Sequence, residues 1–160
     1  EVLGLADTAG MAFFKSQEAA KQPLPLEGTV LVTVSNRDKE DILDAVRGFR
    51  DLGFKIRATG GTTRFLKENG VEAESILKVH QGRPNIVDAI MNGEIQLVIN
   101  TPAGKKSEYD DSYIRKTAIR YGVSYITTTA AATAAVEGIR QRRNGAYTVK
   151  SLQDYHRDID

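Results

Sequence analysis

A chain of 160 residues with 22 basic and 21 acidic side chains carries a formal net charge of +1, too weak a field to point to nucleic acid or an acidic membrane as partner. The absence of cysteine excludes a disulfide framework and any thiolate zinc site, and fits a reducing compartment. Hydrophobic residues, at 41%, suffice for one α/β core, while the longest apolar runs fall far short of a bilayer span.

The sequence opens on Glu1 with no basic-then-apolar leader ahead of it, so it is expected to be a domain excised from a longer protein. Residues 1–26 read as a joining segment that carries a short helix, with Asp7 or Thr8 as its cap. Pro23 and Pro25 then force an extended connection, and the main domain is expected over 27–160.

Gly28 to Val34 is a β-branched run with the length of a buried strand. Asp38 can open a helix whose apolar positions Ile42, Ala45, Val46, Phe49 and Leu52 keep the three-and-four spacing until Gly53. The alternation continues with a strand at Phe54–Ala58, a helix at Thr63–Asn69, a short strand at Ala73–Ile76, a helix at Ile86–Met91 and a strand at Ile95–Ile99. A helix over Asp111–Tyr121, a strand at Ser124–Thr127 and an alanine-rich helix from Thr129 to Arg140 follow. One more strand and a short amphipathic helix are expected between Tyr147 and Asp160. This order predicts a Rossmann-like three-layer α/β domain: a mostly parallel central sheet, helices on both faces, and ligands at the carboxyl ends of the strands.

Two strand ends carry anion-binding chemistry. Thr59-Gly60-Gly61-Thr62-Thr63 follows the second strand and opens a helix, so glycines, hydroxyls and free helix amides meet at one turn. A strand-to-helix turn also needs glycine for tight geometry alone, and this segment does not separate the two explanations. It is neither a Walker loop nor the three-glycine dinucleotide fingerprint. Asn100-Thr101-Pro102-Ala103-Gly104 supplies an amide, a hydroxyl and a glycine turn after a later strand, and Lys39 and Lys78 lie just beyond two other strands. In a parallel sheet these segments converge on one rim, where lysine offers a compact charge for phosphate and threonine fixes its orientation.

Arg140 to Arg143 reads as cations complementing a helix carboxyl end. His80 is the histidine nearest the expected rim, with no carboxylate partner visible in sequence, and is assigned a ligand-contact or structural role. No paired carboxylates, Gly-x-Ser-x-Gly elbow or histidine cluster with metal spacing is present.

The turn Ala58-Thr59-Gly60-Gly61-Thr62 resembles the phosphate turn of methylglyoxal-synthase-like domains, a family that includes methylglyoxal synthase, the cyclohydrolase half of a bifunctional purine-biosynthesis enzyme, and the regulatory domain of carbamoyl phosphate synthase. Lys78-Val79-His80-Gln81-Gly82-Arg83-Pro84 and Ile99-Asn100-Thr101-Pro102-Ala103-Gly104 look like the third branch. Glu1-Val2-Leu3-Gly4-Leu5 resembles the segment that joins an ATP-using half to that domain.

The resemblance implies a nucleotide site at Thr33, Lys39, Thr59, Gly60, Gly61, Thr62, Lys78, Asn100 and Thr101, taking UMP or IMP, and an ornithine site involving Asp110, Tyr125 and Thr127. Pro102, Gly60 and Ser35-Asn36-Arg37 depart from the best-known bacterial pattern.

The resemblance further implies no cofactor within the domain and no metal ligand. The parent enzyme would use ATP with Mg2+ or Mn2+, and the partners would be the rest of the large subunit and a glutaminase small subunit, in the cytoplasm or a plastid. Catalysis within the domain is not expected, because arginine, proline and asparagine stand where the lyase branch has its aspartates, around Gly82–Asn85 and Asn100–Pro102. A lyase acting on a triose phosphate and an interaction domain with a decayed anion site are the alternatives.

Overall fold

The computed structural model describes residues 1–102 and 108–157, without the side chains of 108 and 109. Five strands, β1 (Thr29–Thr33), β2 (Lys55–Thr59), β3 (Glu74–Ile76), β4 (Leu97–Asn100) and β5 (Ser124–Ile126), form one sheet in the order β3-β2-β1-β4-β5. All four pairings are parallel. β1 is central, and its five β-branched or leucine residues are all buried, as a strand covered on both faces requires.

The side chains alternate between two cores. Val30, Val32, Ile56, Ala58, Leu97 and Ile99 pack beneath α1 (Ala9–Ala19), α2 (Lys39–Asp51), α3 (Gly60–Glu68) and α6 (Thr129–Arg143). Leu31 and Val98 face the other way, toward Ile86 and Ile90 of α4 (Ile86–Met91) and Ile114 and Ala118 of α5 (Glu108–Arg120). A short helix, α7 (Leu152–Arg157), is the last of the described elements.

Residues 1–26 contribute to this core. Thr8, rather than Asp7, caps α1 through Met11 N–H, and Met11 and Phe14 are buried. The axes of α1 and α6 approach so closely that a Cβ on Gly138 would overlap the Gly10 carbonyl oxygen.

Four sequence expectations shift. α3 begins at Gly60, not Thr63, so both glycines lie inside the first helical turn. β4 ends at Asn100, one residue later than expected, which makes Asn100 a sheet residue. The strand expected after Tyr147 does not form among the described residues: Val149 is 85% exposed and nothing pairs with it in a sheet. α6 runs on to Arg143, whose guanidinium donates to the Leu26 and Leu52 carbonyls and lies 5.4 Å over the Phe54 ring. That arginine is therefore a staple between elements and not a solvated cap. No helix among the described residues is long and apolar enough to cross a membrane.

Candidate functional site

β1, β2 and β4 end on Thr33, Thr59 and Asn100. Thr33 pairs with Asn100, and the Val32–Ala58 pairing one step earlier sets Thr59 beside Thr33, so the three stand in one row at the carboxyl edge. The same register places Thr127 beside Asn100. The row straddles β1, where the sheet order turns from β2 and β3 to β4 and β5, the point at which open parallel sheets leave a crevice for ligands.

Seven of the eleven buried polar residues in the described structure gather here: Thr33, Ser35, Thr59, Thr62, Thr63, Asn100 and Thr101. Burial demands partners. The Thr59 hydroxyl donates to the Thr33 hydroxyl at 3.1 Å, and Thr62 Oγ1 accepts from Val34 N–H at 3.5 Å. Thr63 Oγ1 donates to the Ala58 carbonyl at 2.7 Å.

Thr101 Oγ1 accepts from Ser35 N–H at 2.9 Å, and the nearby Asp38 carboxylate accepts from Ser35 Oγ at 2.6 Å. The bonds from Ser35 and Thr101, with the charge of Arg37, hold the Asp38 carboxyl below the usual carboxylate range. Asp38 stands at the N-cap position of α2 but makes no capping bond, because its oxygens are spent on this loop. Sequence reasoning missed Ser35 and Asp38 as site residues; their spacing of three, typical of a polar turn, was the available signal.

Lys39 Nζ reaches across to the Gly61 carbonyl at 3.0 Å and lies 5.9 Å over the Phe65 ring. Gly60 and Gly61 occupy helical backbone at the start of α3, with no positive φ. Among the described residues a Cβ on Gly60 would meet nothing within 4 Å, and one on Gly61 would meet only Lys39 Nζ at 3.6 Å. Among the described residues neither turn geometry nor close packing asks for glycine here. Both residues are exposed, and the first amides of α3 have no partner within the helix.

Lys78 makes no side-chain hydrogen bond to this cluster among the described residues. It follows the edge strand β3, on the same edge but beyond β2, and its N–H donates to Gln81 Oε1 at 2.9 Å. His80, in the short turn Val79–Gln81, does have a carboxylate partner: its Nδ1 lies 2.5 Å from Asp110 Oδ2 in the first turn of α5. This corrects the sequence reading, which could not see a pair thirty residues apart.

Asn100 Nδ2 donates to Asp111 Oδ1 at 3.1 Å and to the Tyr125 hydroxyl at 2.6 Å, tying the β4 end to β5 and α5. Burial pushes the Tyr125 phenol above its ordinary value, against bonds from Asn100 and Arg115 that pull it down. Thr127 is exposed just past β5. Gly104, expected to form the turn after β4, lies outside the described residues.

Two grooves lie against α4. One of about 370 Å3 is lined by Arg57, Glu74, Ile76, Pro84 and Asn85, and one of about 440 Å3 by Val79, Arg83, Val87, Met91 and Tyr113. Neither includes a row residue. Among the described residues no group of three or more histidine, aspartate or glutamate side chains is placed to hold a metal ion.

The model of one family, described as the MGS-like domain, matches residues 41–127, more than half of the chain. The chain belongs to the MGS-like domain family. This MGS-like domain is 48% identical over 159 residues to a carbamoyl phosphate synthase large chain of Archaeoglobus fulgidus, covering 99% of the present chain and 15% of that protein. It is also 48% identical over 158 residues to a protein of Methanopyrus kandleri named as the C-terminal section of that large chain, covering 98% of the present chain and 29% of the relative. The domain thus spans a small part of the length of the relatives it matches. Among solved structures, methylglyoxal synthase from Elizabethkingia anophelis superposes with a TM-score of 0.55 at 18% identity, covering 71% of this chain and 79% of that one, which confirms the Rossmann-like α/β fold.

Proposed function

We propose that this domain is the effector-binding, allosteric part of a carbamoyl phosphate synthase large chain, and that the β1–β2–β4 row holds the phosphate of a nucleoside monophosphate, UMP or IMP. The observation that carries the reading is the Gly60–Gly61 pair. The chain keeps two helix-weakening residues at positions the described residues leave open, and they border free helix amides, the Thr33 and Thr62 hydroxyls and the Lys39 ammonium. A phosphate dianion seated there meets the positive end of α3 and a fixed cation, while the backbone approaches within hydrogen-bond distance because no Cβ intervenes.

The Asn100–Tyr125 bond runs from that row to the strand end where ornithine is expected, beside Thr127 and close to Asp110. Bound effectors would shift the domain's arrangement against the ATP-using parts of the large chain, with Mg2+ or Mn2+ and the glutaminase subunit belonging to those parts. Coupling of this kind is typically about 1–3 kcal/mol and reciprocal, so ATP should alter effector affinity in the full enzyme.

Calorimetric titration of the domain with UMP, IMP, UTP and inorganic phosphate tests the assignment. Saturable binding of a monophosphate that weakens with salt is expected; no binding of any nucleotide at millimolar concentration and low salt sinks it.

One observation favours a second reading. The His80–Asp110 pair beside an anion cradle is equipment for proton transfer, which a lyase acting on a triose phosphate needs. Turnover of dihydroxyacetone phosphate by the isolated domain would establish that reading in place of the first.

A further inference from the structure

Three helices end in the dipeptide asparagine–glycine: α3 at Asn69–Gly70, α4 at Asn92–Gly93 and α6 at Asn144–Gly145. In each the glycine has positive φ, 75°, 71° and 77° in turn, and the same pair of backbone bonds closes the cap. These run from Gly70 N–H to Lys67 O and Val71 N–H to Leu66 O, from Gly93 to Ile90 and Glu94 to Ala89, and from Gly145 to Arg142 and Ala146 to Gln141. The asparagine backbones also agree, with ψ of 18°, 0° and 8°. The three sites are therefore matched in dipeptide and in cap geometry, and differ in what holds the cap shut.

Asn69 is pinned on every side. Its Nδ2 donates to the Phe65 carbonyl at 2.9 Å, Arg47 donates to the Asn69 carbonyl at 3.2 Å, Arg50 reaches the Gly70 carbonyl at 3.4 Å, and the following Val71 is fully buried. Asn92 is held nearly as well. Its Nδ2 donates to Glu94 Oε1 at 3.2 Å, Glu94 is ion-paired with Arg57 at 2.7 Å, and Gln96 Nε2 holds the Gly93 carbonyl at 2.8 Å just before the buried Ile95.

Asn144 lacks such ties at its side chain and at the cap carbonyls, and the described chain is next held only at Tyr147, which packs edge-on to Phe14 and donates to Glu18 at 2.8 Å. Among the described residues its side-chain amide has no hydrogen-bond partner, and Asn144, Gly145 and Ala146 are all exposed. The Gly145 N–H bond, at 3.3 Å, is the longest of the three, and no regular element follows for several residues. Arg143 anchors the helix just before it, so opening is confined to the cap itself.

We infer that Asn144 is a site of spontaneous deamidation in the folded protein, ahead of Asn92 and Asn69. The cap opens and the Gly145 backbone nitrogen, losing its proton to solvent, attacks Cγ of Asn144. A carbon–nitrogen bond forms, the bond from Cγ to Nδ2 breaks, and ammonia leaves with a proton from solvent. Water then opens the resulting succinimide at either carbonyl, giving aspartate or isoaspartate, with no change of oxidation state. Glycine is the favourable neighbour because no Cβ obstructs its nitrogen. The rate in the native state scales with the population of the open cap, which is set by the ties described. The product places a carboxylate at the carboxyl end of α6, against the helix dipole and among Arg140, Arg142 and Arg143. This inference is independent of the nucleotide reading.

The test is to incubate the unmodified chain, folded and in denaturant, in mildly alkaline buffer, and to follow peptides carrying each asparagine by mass spectrometry, with isoaspartate methyltransferase labelling. In the folded chain Asn144 should convert about tenfold faster than Asn92 or Asn69, and in denaturant the three rates should converge. Replacement Asn144→Gln should remove the fast product and no other. Asn92 or Asn69 leading in the folded chain, or an Asn144 lead that persists undiminished in denaturant, overturns the inference.

Discussion

The glycine pair at the start of α3 allows a prediction in which two observables move in opposite directions. In the double variant Gly60→Ala, Gly61→Ala, each new methyl enters space that, among the described residues, is empty or bounded only by the Lys39 ammonium 3.6 Å away, on backbone that alanine adopts without strain. Alanine in place of helical glycine gains about 0.5–1 kcal/mol, and the low end applies in a first turn, so the pair should add about 1 kcal/mol. For a domain of this length that is a rise in Tm of about 2–4 °C. The same methyls stand between a phosphate and the first amides of α3. Losing one charge-assisted hydrogen bond costs about 1.5–3 kcal/mol, so monophosphate affinity should fall about ten- to a hundredfold. Differential scanning calorimetry and isothermal titration on the same preparation read both. A variant that is stabilised yet binds with parental affinity refutes the ligand explanation of the glycines, and a destabilised variant refutes the geometric reasoning beneath it.

Three further outcomes follow from other parts of the structure. The Asp38 carboxyl lies below its unfolded value because Ser35 and Thr101 bond its charged form, so its contribution to stability is complete above about pH 4 and is lost as pH falls through the lower folded value. Asp38→Asn should flatten the stability–pH curve in that acid window, as read by urea midpoints, and an unchanged slope would contradict the bonding described. Tyr125→Phe removes the hydroxyl that accepts from Asn100 and should weaken nucleotide binding only a few-fold, since Asp111 still holds the amide; ultraviolet titration should show that the lost phenol was one ionising above pH 10. Gly138→Ala drives a methyl into the Gly10 carbonyl and against Phe14 Cβ at 3.0 Å, and should destabilise by about 1–3 kcal/mol, with Tm as the readout.

What could be read from the sequence follows a physical divide between local and distant causes. β1, β2 and β4 were legible because β-branched runs bounded by turn residues have few alternatives, and the ends of α2 and α3 because glycine just past an amphipathic stretch supplies the positive φ that a closing cap requires. The start of α3 was misplaced for the converse reason. Glycine reads as loop by propensity, and only a surrounding fold shows that Gly60 and Gly61 are helical at a cost. Thr33 came only from the family resemblance, but the meeting of the Thr59 and Asn100 strand ends was foreseen as a convergence, since parallel strands bring their carboxyl ends together whatever the exact register. The bonds His80–Asp110 and Asn100–Asp111 were not, because each joins a strand-end turn to α5 through side-chain reach, which no periodicity records. The expected last strand failed because a β-branched residue such as Val149 forms a strand only where an edge is offered to it.

The hydroxyls of the row are not equivalent, and their accounting narrows the proposed ligand set. Thr101 accepts from Ser35 N–H and stands by the Asp38 carboxylate, so the bond it makes fastens the β1–α2 loop to the end of β4. Thr59 has given its proton to Thr33, which leaves the Thr33 proton free to point outward, and Thr62 accepts only a long bond from Val34 and keeps its own proton. Thr101→Val should therefore act on stability: it strands the buried Ser35 N–H, costs about 1–3 kcal/mol, and leaves the affinity of the folded fraction within about twofold of the parent. Thr62→Val should do the reverse, lowering monophosphate affinity about tenfold with little change in Tm. Titration calorimetry at a temperature where both variants are folded distinguishes them. If Thr101→Val costs as much affinity as Thr62→Val, the hydrogen-bond assignment around Asp38 is wrong and Thr101 belongs among the phosphate ligands after all.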